Sequence, residues 1–289
     1  FNIHSKFVKL YSMPVYIASL NSGSNGNCYY VGNEREAVLV DAGISCRETE
    51  KRMARIGLSM QKVKAIFISH EHSDHIRGLG VLARTYKLPV YVTDGTAHHC
   101  GDVPRELCFG LNAYTPIKIG SLEISAFPKH HDAVEPHSFM VTDGDVRIGI
   151  FTDIGAPCEQ LVRHFAQCHA AFLEANYDEE MLAAGRYPFY LKRRITGGKG
   201  HLSNRQALQL FIDHKPHYMS HLLLAHLSKD NNDPELALQL FLQHAGTTHV
   251  SVASRHNESE VYCIDPLGMV AASGIALNQI TGQFQFALS

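Results

Sequence analysis

The apolar run Ala65-Ile-Phe-Ile68 passes directly into Ser-His70-Glu-His72-Ser-Asp74-His75, and that junction restricts what the chain can fold into. Three imidazoles and the Asp74 carboxylate fall within six positions where a strand ends. In extended backbone, side chains at i and i+2 share a face, so His70 and His72 reach one point together. Asp74 and His75 follow where the chain leaves the strand and the helical pattern His75-Ile-Arg-Gly-Leu-Gly-Val-Leu-Ala83 begins, which aims them at a second, neighbouring point. Two imidazoles for one cation, with a carboxylate and an imidazole for the next, begin a dinuclear hydrolytic site.

This H-x-H-x-D-H string resembles the metallo-β-lactamase superfamily. The resemblance implies a third His on the first metal, a bridging Asp and a last His on the second. His131 in Phe127-Pro-Lys-His130-His131-Asp132-Ala133, Asp153 in Thr152-Asp-Ile-Gly155 and His226 in Ala225-His-Leu-Ser228 supply them, each after a strand-like segment. His130 competes with His131, but a one-residue shift on a strand end points it the other way, and the family's H-D-A pattern favours His131. Ser22-Gly-Ser-Asn-Gly-Asn27, Asp41-Ala-Gly43, Gly185-Arg-Tyr-Pro188 and Gly200-His-Leu-Ser-Asn204 are similar to the YycJ/WalJ-type branch of that superfamily, over roughly residues 15 to 262.

The resemblance implies an assignment for each functional residue. His70, His72 and His131 hold the first metal, Asp74, His75 and His226 the second, and Asp153 bridges them around a shared hydroxide nucleophile. Asp74, His201 and Glu174 are the catalytic side chains, with His201 a general acid held by Glu174 as in related tRNA 3′-processing nucleases. Asp41 and Asn27 stand behind the ligands. Tyr177 occupies the position where the family's Asn-His-Asp has its His. Two divalent ions are expected as cofactors, zinc first, with manganese or iron also compatible with this mix of imidazole and carboxylate.

Arg186-Tyr-Pro-Phe-Tyr-Leu-Lys192-Arg193-Arg194, with Lys199 nearby, is the densest basic stretch and carries aromatics. Arg186, Lys192, Arg193 and Arg194 are expected to grip a nucleic-acid backbone while Tyr187 or Tyr190 stacks on a base. Ser203 and Asn204 are expected beside them as substrate contacts. Such local chemistry is needed because the net charge is only -2, with no global pull on polyanions.

The rest of the 289 residues describes an ordinary globular protein, 45% hydrophobic and 19% charged. Seven cysteines without a C-x-x-C pair read as free thiols of a reducing cytoplasm. No run approaches the roughly 18 to 20 apolar residues of a membrane span, and the first residues lack a signal-peptide pattern. Strands are expected at 15–20, 28–31, 37–40, 65–68, 89–92, 122–127, 138–142, 146–151, 170–174, 218–225, 249–253 and 260–264. A helix is expected from Ser45, where Ser45-Cys-Arg-Glu48 has the capping-box pattern. Others are expected from His75 and over 157–167, 178–195, 203–213 and 234–244. This interleaving implies an α/β, four-layer αββα sandwich: two mixed sheets face to face with helices outside. Residues 1–12 read as a leader, 13–264 as the hydrolase domain and 265–289 as an uncharged extension.

The expected function is a dinuclear metal-dependent phosphodiesterase, an exonuclease on DNA or RNA. The alternative is a small-substrate hydrolase of the same fold, thioesterase or glyoxalase II-like, or β-lactamase-like.

Overall fold

A computed structural model of the protein describes residues 14–266. The leader at 1–12, and all but the first two residues of the 265–289 extension, lie outside the described residues. One seven-stranded sheet has the order β14-β1-β2-β3-β4-β5-β6 and the other β13-β12-β11-β10-β9-β8-β7. In the first, β1 (Val15–Asn21), β2 (Cys28–Gly32), β3 (Ala37–Val40), β4 (Val63–Phe67), β5 (Val90–Val92) and β6 (Cys108–Gly110) are joined by β14 (Tyr262–Ile264). The second comprises β7 (Ile117–Ile119), β8 (Leu122–Pro128), β9 (His137–Thr142), β10 (Arg147–Phe151), β11 (Ala170–Glu174), β12 (His221–Ala225) and β13 (His249–Val252). From β3 to β6, and again from β10 to β13, neighbouring strands are parallel. The helices are α1 (Cys46–Arg55), α2 (Ser73–Ile76), α3 (Leu79–Tyr86), α4 (Asp94–Ala97), α5 (Glu159–Phe165), α6 (Glu179–Ala184), α7 (Phe189–Thr196), α8 (Asn204–His214) and α9 (Pro234–Leu242).

Strand alternation explains the layers. In β2 and β3, Tyr29, Val31, Val38 and Val40 face the second sheet and meet Phe139 and Phe172 there. Their neighbours Cys28, Tyr30, Ala37 and Leu39 point outward against Met53 of α1 and Leu79 and Leu82 of α3. On the other side, Leu173, Leu222 and Leu224 face α5, α8 and α9 through Phe165, Phe211 and Phe241. Strands covered on both faces read as unbroken apolar runs, which is why these were visible in the sequence. The αββα sandwich is the observed fold.

Several boundaries differ from expectation. The helix placed at His75 starts at Ser73, so Asp74 and His75 both lie on α2. It breaks at Gly78, whose N–H donates to Ala42 O instead of continuing the helix. Glu48 does not close the capping box of α1: Ser45 Oγ accepts from Glu48 N, but the Glu48 carboxylate turns to Arg52 at 2.8 Å. The helical stretch 178–195 is two helices: Gly185 ends the first and Pro188 precedes the second, both in extended backbone with ψ of 164° and 154°. The strand expected from Tyr218 begins at His221. The three-residue strands β6 and β7, each at the edge of a sheet, were not anticipated.

At the sheet edge opposite β7, His221 and His249 pair in register across β12 and β13. Both rings meet Tyr262 of β14 in the other sheet, with centroids 5.2 and 5.5 Å away. Burial, reinforced by His249, lowers the His221 pKa to about 4, and burial likewise lowers those of His164 and His169. A neutral buried His favours the fold only above the ordinary imidazole value of roughly 6.5, so stability falls as pH drops from there toward 4. Chemical denaturation at pH 7.5 and 5.0 is expected to show this loss, and His221→Phe, which keeps the ring, is expected to shrink it. Equal slopes in both proteins would show that the cluster does not couple to folding.

Candidate metal centre and active site

The functional side chains gather where the parallel strands end. Asp41 follows β3, His70 to His75 follow β4, Asp153 follows β10, Glu174 closes β11 and His226 follows β12. Three of these, Asp41, Asp153 and His226, have φ of 63°, 55° and 56°. Only two other described non-glycine residues have positive φ, so this uncommon left-handed backbone is concentrated at the site. The step turns the chain off the strand and sends each side chain across the sheet ends. The surrounding backbone holds it there. Ala42 N donates to His75 O and Asn27 N to Asp74 O, locking α2 between the Asp41-Ala-Gly43 turn and the Ser22–Asn27 loop. The packing needs glycine: a Cβ on Gly43 would collide with the Asp74 carbonyl, and one on Gly78 with the Ile44 carbonyl.

Three ring nitrogens converge. His70 Nε2 lies 3.1 Å from His72 Nδ1, which lies 3.3 Å from His131 Nε2. His131 is buried and its Nδ1 faces Gly200 O at 3.1 Å, whereas His130 is exposed, so His131 is the ring brought to His70 and His72. Beside this cluster, Asp74, His75 and His226 bring one ligand atom each together. Asp153 touches both groups: Oδ2 is 3.1 Å from His75 Nε2, and Oδ1 is 3.5 Å from His226 Nε2 and 3.8 Å from His131 Nε2. Asp153 Oδ2 and His226 Nε2 are buried without a hydrogen-bond partner. Donor atoms crowded in this way, with orphaned lone pairs among them, fit divalent cations.

The outer supports are also in place. Asp41 Oδ2 accepts from His75 Nδ1 at 2.7 Å and from Ser69 Oγ at 2.9 Å, while Asp41 Oδ1 accepts from Ser69 N. Asn27 Nδ2 donates to Asp74 Oδ2 at 3.2 Å and lies 3.0 Å from His75 Nε2. Fully buried Glu174 accepts four bonds: Oε1 faces His201 Nδ1 at 2.8 Å and His226 Nδ1 at 3.0 Å, and Oε2 takes Ile154 N and Leu202 N. Tyr177 is buried, and its carbonyl accepts from Asn204 N.

A family model described as the beta-lactamase superfamily domain matches residues 36–226. The chain belongs to the metallo-β-lactamase superfamily. It is 38% identical over 229 residues to the exodeoxyribonuclease YycJ of Bacillus anthracis, covering 78% of this chain and 87% of that one. It is 34% identical over 224 residues to the exodeoxyribonuclease WalJ of Streptococcus pneumoniae, covering 75% and 83%. These matches make it a YycJ/WalJ-type member. Its fold superimposes on the metallo-β-lactamase fold protein YhfI of Bacillus subtilis with a TM-score of 0.67 at 17% identity, covering 87% of this chain and all of that one.

For a metallo-β-lactamase-fold protein, the charge pattern is informative. Burial keeps His70 and His131 neutral, the latter with its pKa lowered to about 3, so their lone pairs are available as ligands. For His75, burial opposes charge, but Asp41, Asp153 and Asp74 outweigh it and raise the pKa to about 10. His226 is raised in the same way against burial, chiefly by Asp153. A proton on either ring is the positive charge that a bound cation would replace.

The cleft over the ligands, about 280 Å³, is lined by His201, Asn176, Tyr187, Arg194 and Lys199, and by Ser24 of the glycine-rich loop. Arg194 pairs with Asp132 at 2.9 Å on its rim. The other predicted substrate residues lie elsewhere. Lys192 Nζ donates to Ala183 O, Arg193 sits over the Phe189 ring, and Arg186 is exposed outside the cleft lining. Ser203 and Asn204 are corrections. Both are buried; Ser203 caps α8 in a reciprocal box with Gln206, and Asn204 exchanges hydrogen bonds with Asn232. Their polar groups are already satisfied inside the fold.

Two residues were missed. Lys129 is buried, donates to Thr152 O at 2.6 Å and interacts electrostatically with Asp153, Asp41 and Glu174. Arg255 lies 3.5 Å from Ser24 Oγ with one guanidinium nitrogen buried and unpartnered. A basic residue two positions before His131 was the available signal for Lys129; Arg255 offered none.

Carboxylates behind ligating imidazoles typically contribute roughly 10- to 100-fold in metal affinity. Asp41→Asn is therefore expected to weaken divalent-metal binding by about that factor, measured by competition with a chromogenic chelator. Unchanged affinity in a folded variant would remove Asp41 from the site.

Proposed function

We propose that the protein is a metal-dependent phosphodiesterase that degrades DNA from strand ends. The observation that carries this reading is the Glu174–His201 pair beside the three-histidine cluster, in a cleft that also presents Arg194 and Lys199. The superfamily membership supports a metal-dependent hydrolase, and the two exodeoxyribonuclease relatives support DNA as substrate. His70, His72 and His131 would hold one divalent cation and Asp74, His75 and His226 a second, with Asp153 between them. When bound, such ions supply Lewis acidity toward phosphate oxygens and lower the pKa of water. Zinc suits the imidazole majority; manganese or iron suits the carboxylates.

The protein's own groups orient and complete the reaction. Arg194 and Lys199 bring positive charge to a phosphate entering the cleft. Glu174 binds His201 Nδ1, leaving Nε2 as the nitrogen that donates a proton to the departing alkoxide oxygen. The His201 side chain is 22% exposed, so it meets substrate while its partner stays dry. The seven free cysteines support a reducing cytoplasmic setting. Among the described residues no helix is long and apolar enough to cross a membrane.

A general acid matters only when the leaving group is poor. His201→Ala is expected to lower kcat on end-labelled DNA by on the order of a hundredfold or more. Bis-p-nitrophenyl phosphate, whose leaving group needs no proton, should lose far less. Equal losses on both substrates would remove His201 from proton transfer. Turnover of nitrocefin or a glutathione thioester by the metal-loaded wild type, with neither phosphodiester cleaved, would replace the nuclease reading with a small-substrate hydrolase.

A further inference from the structure

Lys129 follows Pro128, the last residue of β8, and stands two positions before His131. A lysine at a strand end ordinarily reaches water, yet this one is only 6% exposed. Its backbone N–H donates to Pro136 O and so closes the loop that carries His131. Its ammonium runs the other way, to Thr152 O, the carbonyl just before Asp153. That carbonyl is its one hydrogen-bond acceptor among the described residues, and no carboxylate there forms an ion pair with it. An ammonium taken out of water with a single neutral acceptor is costly to the fold.

The surroundings offset that cost. Burial lowers the Lys129 pKa, while the negative charges of Asp153, Asp41, Glu174 and Asp74 all favour the charged ammonium. Lys129 acts back on the centre: with His226 and His75 it keeps Asp153 ionised despite burial. Together with burial it also keeps protons off His70 and His131. One cation thus acts on residues of both ligand groups without being a ligand itself. Its hydrogen bond is not the only tie between the two loops, because Gly155 N donates to His130 O at 2.6 Å. The charge is what no neighbouring contact duplicates.

A positive charge fixed behind such a cavity acts with opposite sign in its two states. Without divalent cations, Asp41, Asp74, Asp153 and Glu174 crowd together and the ammonium attracts all four. With cations in place it faces added positive charge, because two divalent ions bring more charge than the His75 and His226 protons they displace. Charges buried together feel one another far more strongly than in water. We propose that Lys129 is a resident counterion that stabilises the metal-free cavity and thereby lowers its affinity for divalent cations. The two effects are one coupling seen from two sides, so each requires the other. The inference rests on the metal-dependent reading above and adds to it a threshold: the centre fills only when free divalent metal outcompetes a charge the chain already carries.

Lys129→Gln keeps a donor for Thr152 O and removes the charge, whereas Lys129→Arg keeps both. Among the metal-free proteins, the glutamine variant is expected to melt several degrees below wild type, with arginine close to wild type. After loading with zinc, or separately with manganese, the gap should close, because the bound ions supply the missing charge. Competition with a chromogenic chelator is expected to show the glutamine variant binding either metal roughly tenfold more tightly than wild type. The arginine variant should bind as wild type does. Lys129→Met, which keeps the apolar stem, should reproduce the tighter binding.

Weaker metal binding by the glutamine and methionine variants would make Lys129 a prop for the Asp153 turn and overturn the proposal. An equal drop in melting temperature with and without metal, or failure to fold in both states, would reduce it to packing and overturn it too. Arginine binding metal as tightly as glutamine does would show that charge is not the cause. Melting and chelator competition need no substrate, so these outcomes stand or fall whether or not the protein cleaves DNA. Wild-type protein that binds neither metal would sink the metal-dependent reading and this inference with it.

Discussion

Asp41, Asp153 and Glu174 share one cavity with almost no access to water, each 2% exposed or less, and Asp74 stands next to them. Like charges at such density inside a protein repel strongly and lose their hydration, so the fold tolerates them only with opposite charge woven between them. His75 lies between Asp41 and Asp153, His226 between Asp153 and Glu174, and Lys129 stands behind the group. Positive charge is therefore a structural requirement of this cavity before it is a catalytic device. The proposed cations would meet the same requirement at the centre, where Asp153 Oδ2 and His226 Nε2 are buried without a hydrogen-bond partner.

The precision of the arrangement comes from the backbone. Left-handed steps at Asp41, Asp153 and His226 put three side chains into a space that ordinary strand ends would direct elsewhere. Two of them are braced by hydrogen bonds: Asp41 N donates to Phe67 O, His226 N to Ser22 Oγ, and Asn176 Nδ2 to His226 O. Glu174 ties the β11 end to Ile154 and Leu202, so His201 is positioned by the same carboxylate that orients His226. The acid–base group and the adjoining ligand thus share one rigid support.

Much of this was legible in the sequence because it is local. His70 and His72 sit two apart on extended chain, and the doubly buried strands appear as unbroken apolar runs. The distant members, His131, Asp153 and His226, carried no local sign of convergence; family resemblance supplied them. Short-range chemistry misled where one residue type serves two purposes. Ser203 and Asn204 at a helix start look alike whether they cap the helix or touch substrate, and only burial separated the two uses. Lys129 was passed over because a lysine beside proline and histidine reads as surface, and the edge strands β6 and β7 are too short to show a period.

One consequence follows from where the ligand-bearing loops arise. His70, His72, Asp74 and His75 hang from one sheet, whereas His131, Asp153 and His226 hang from the other, so the cluster bridges the seam of the sandwich at a single end. At the opposite end of that seam, Ser121 between β7 and β8 bonds Asn33 and Glu36 from the turn between β2 and β3. Cations held between those loops would therefore fasten one sheet to the other at that end of the sandwich.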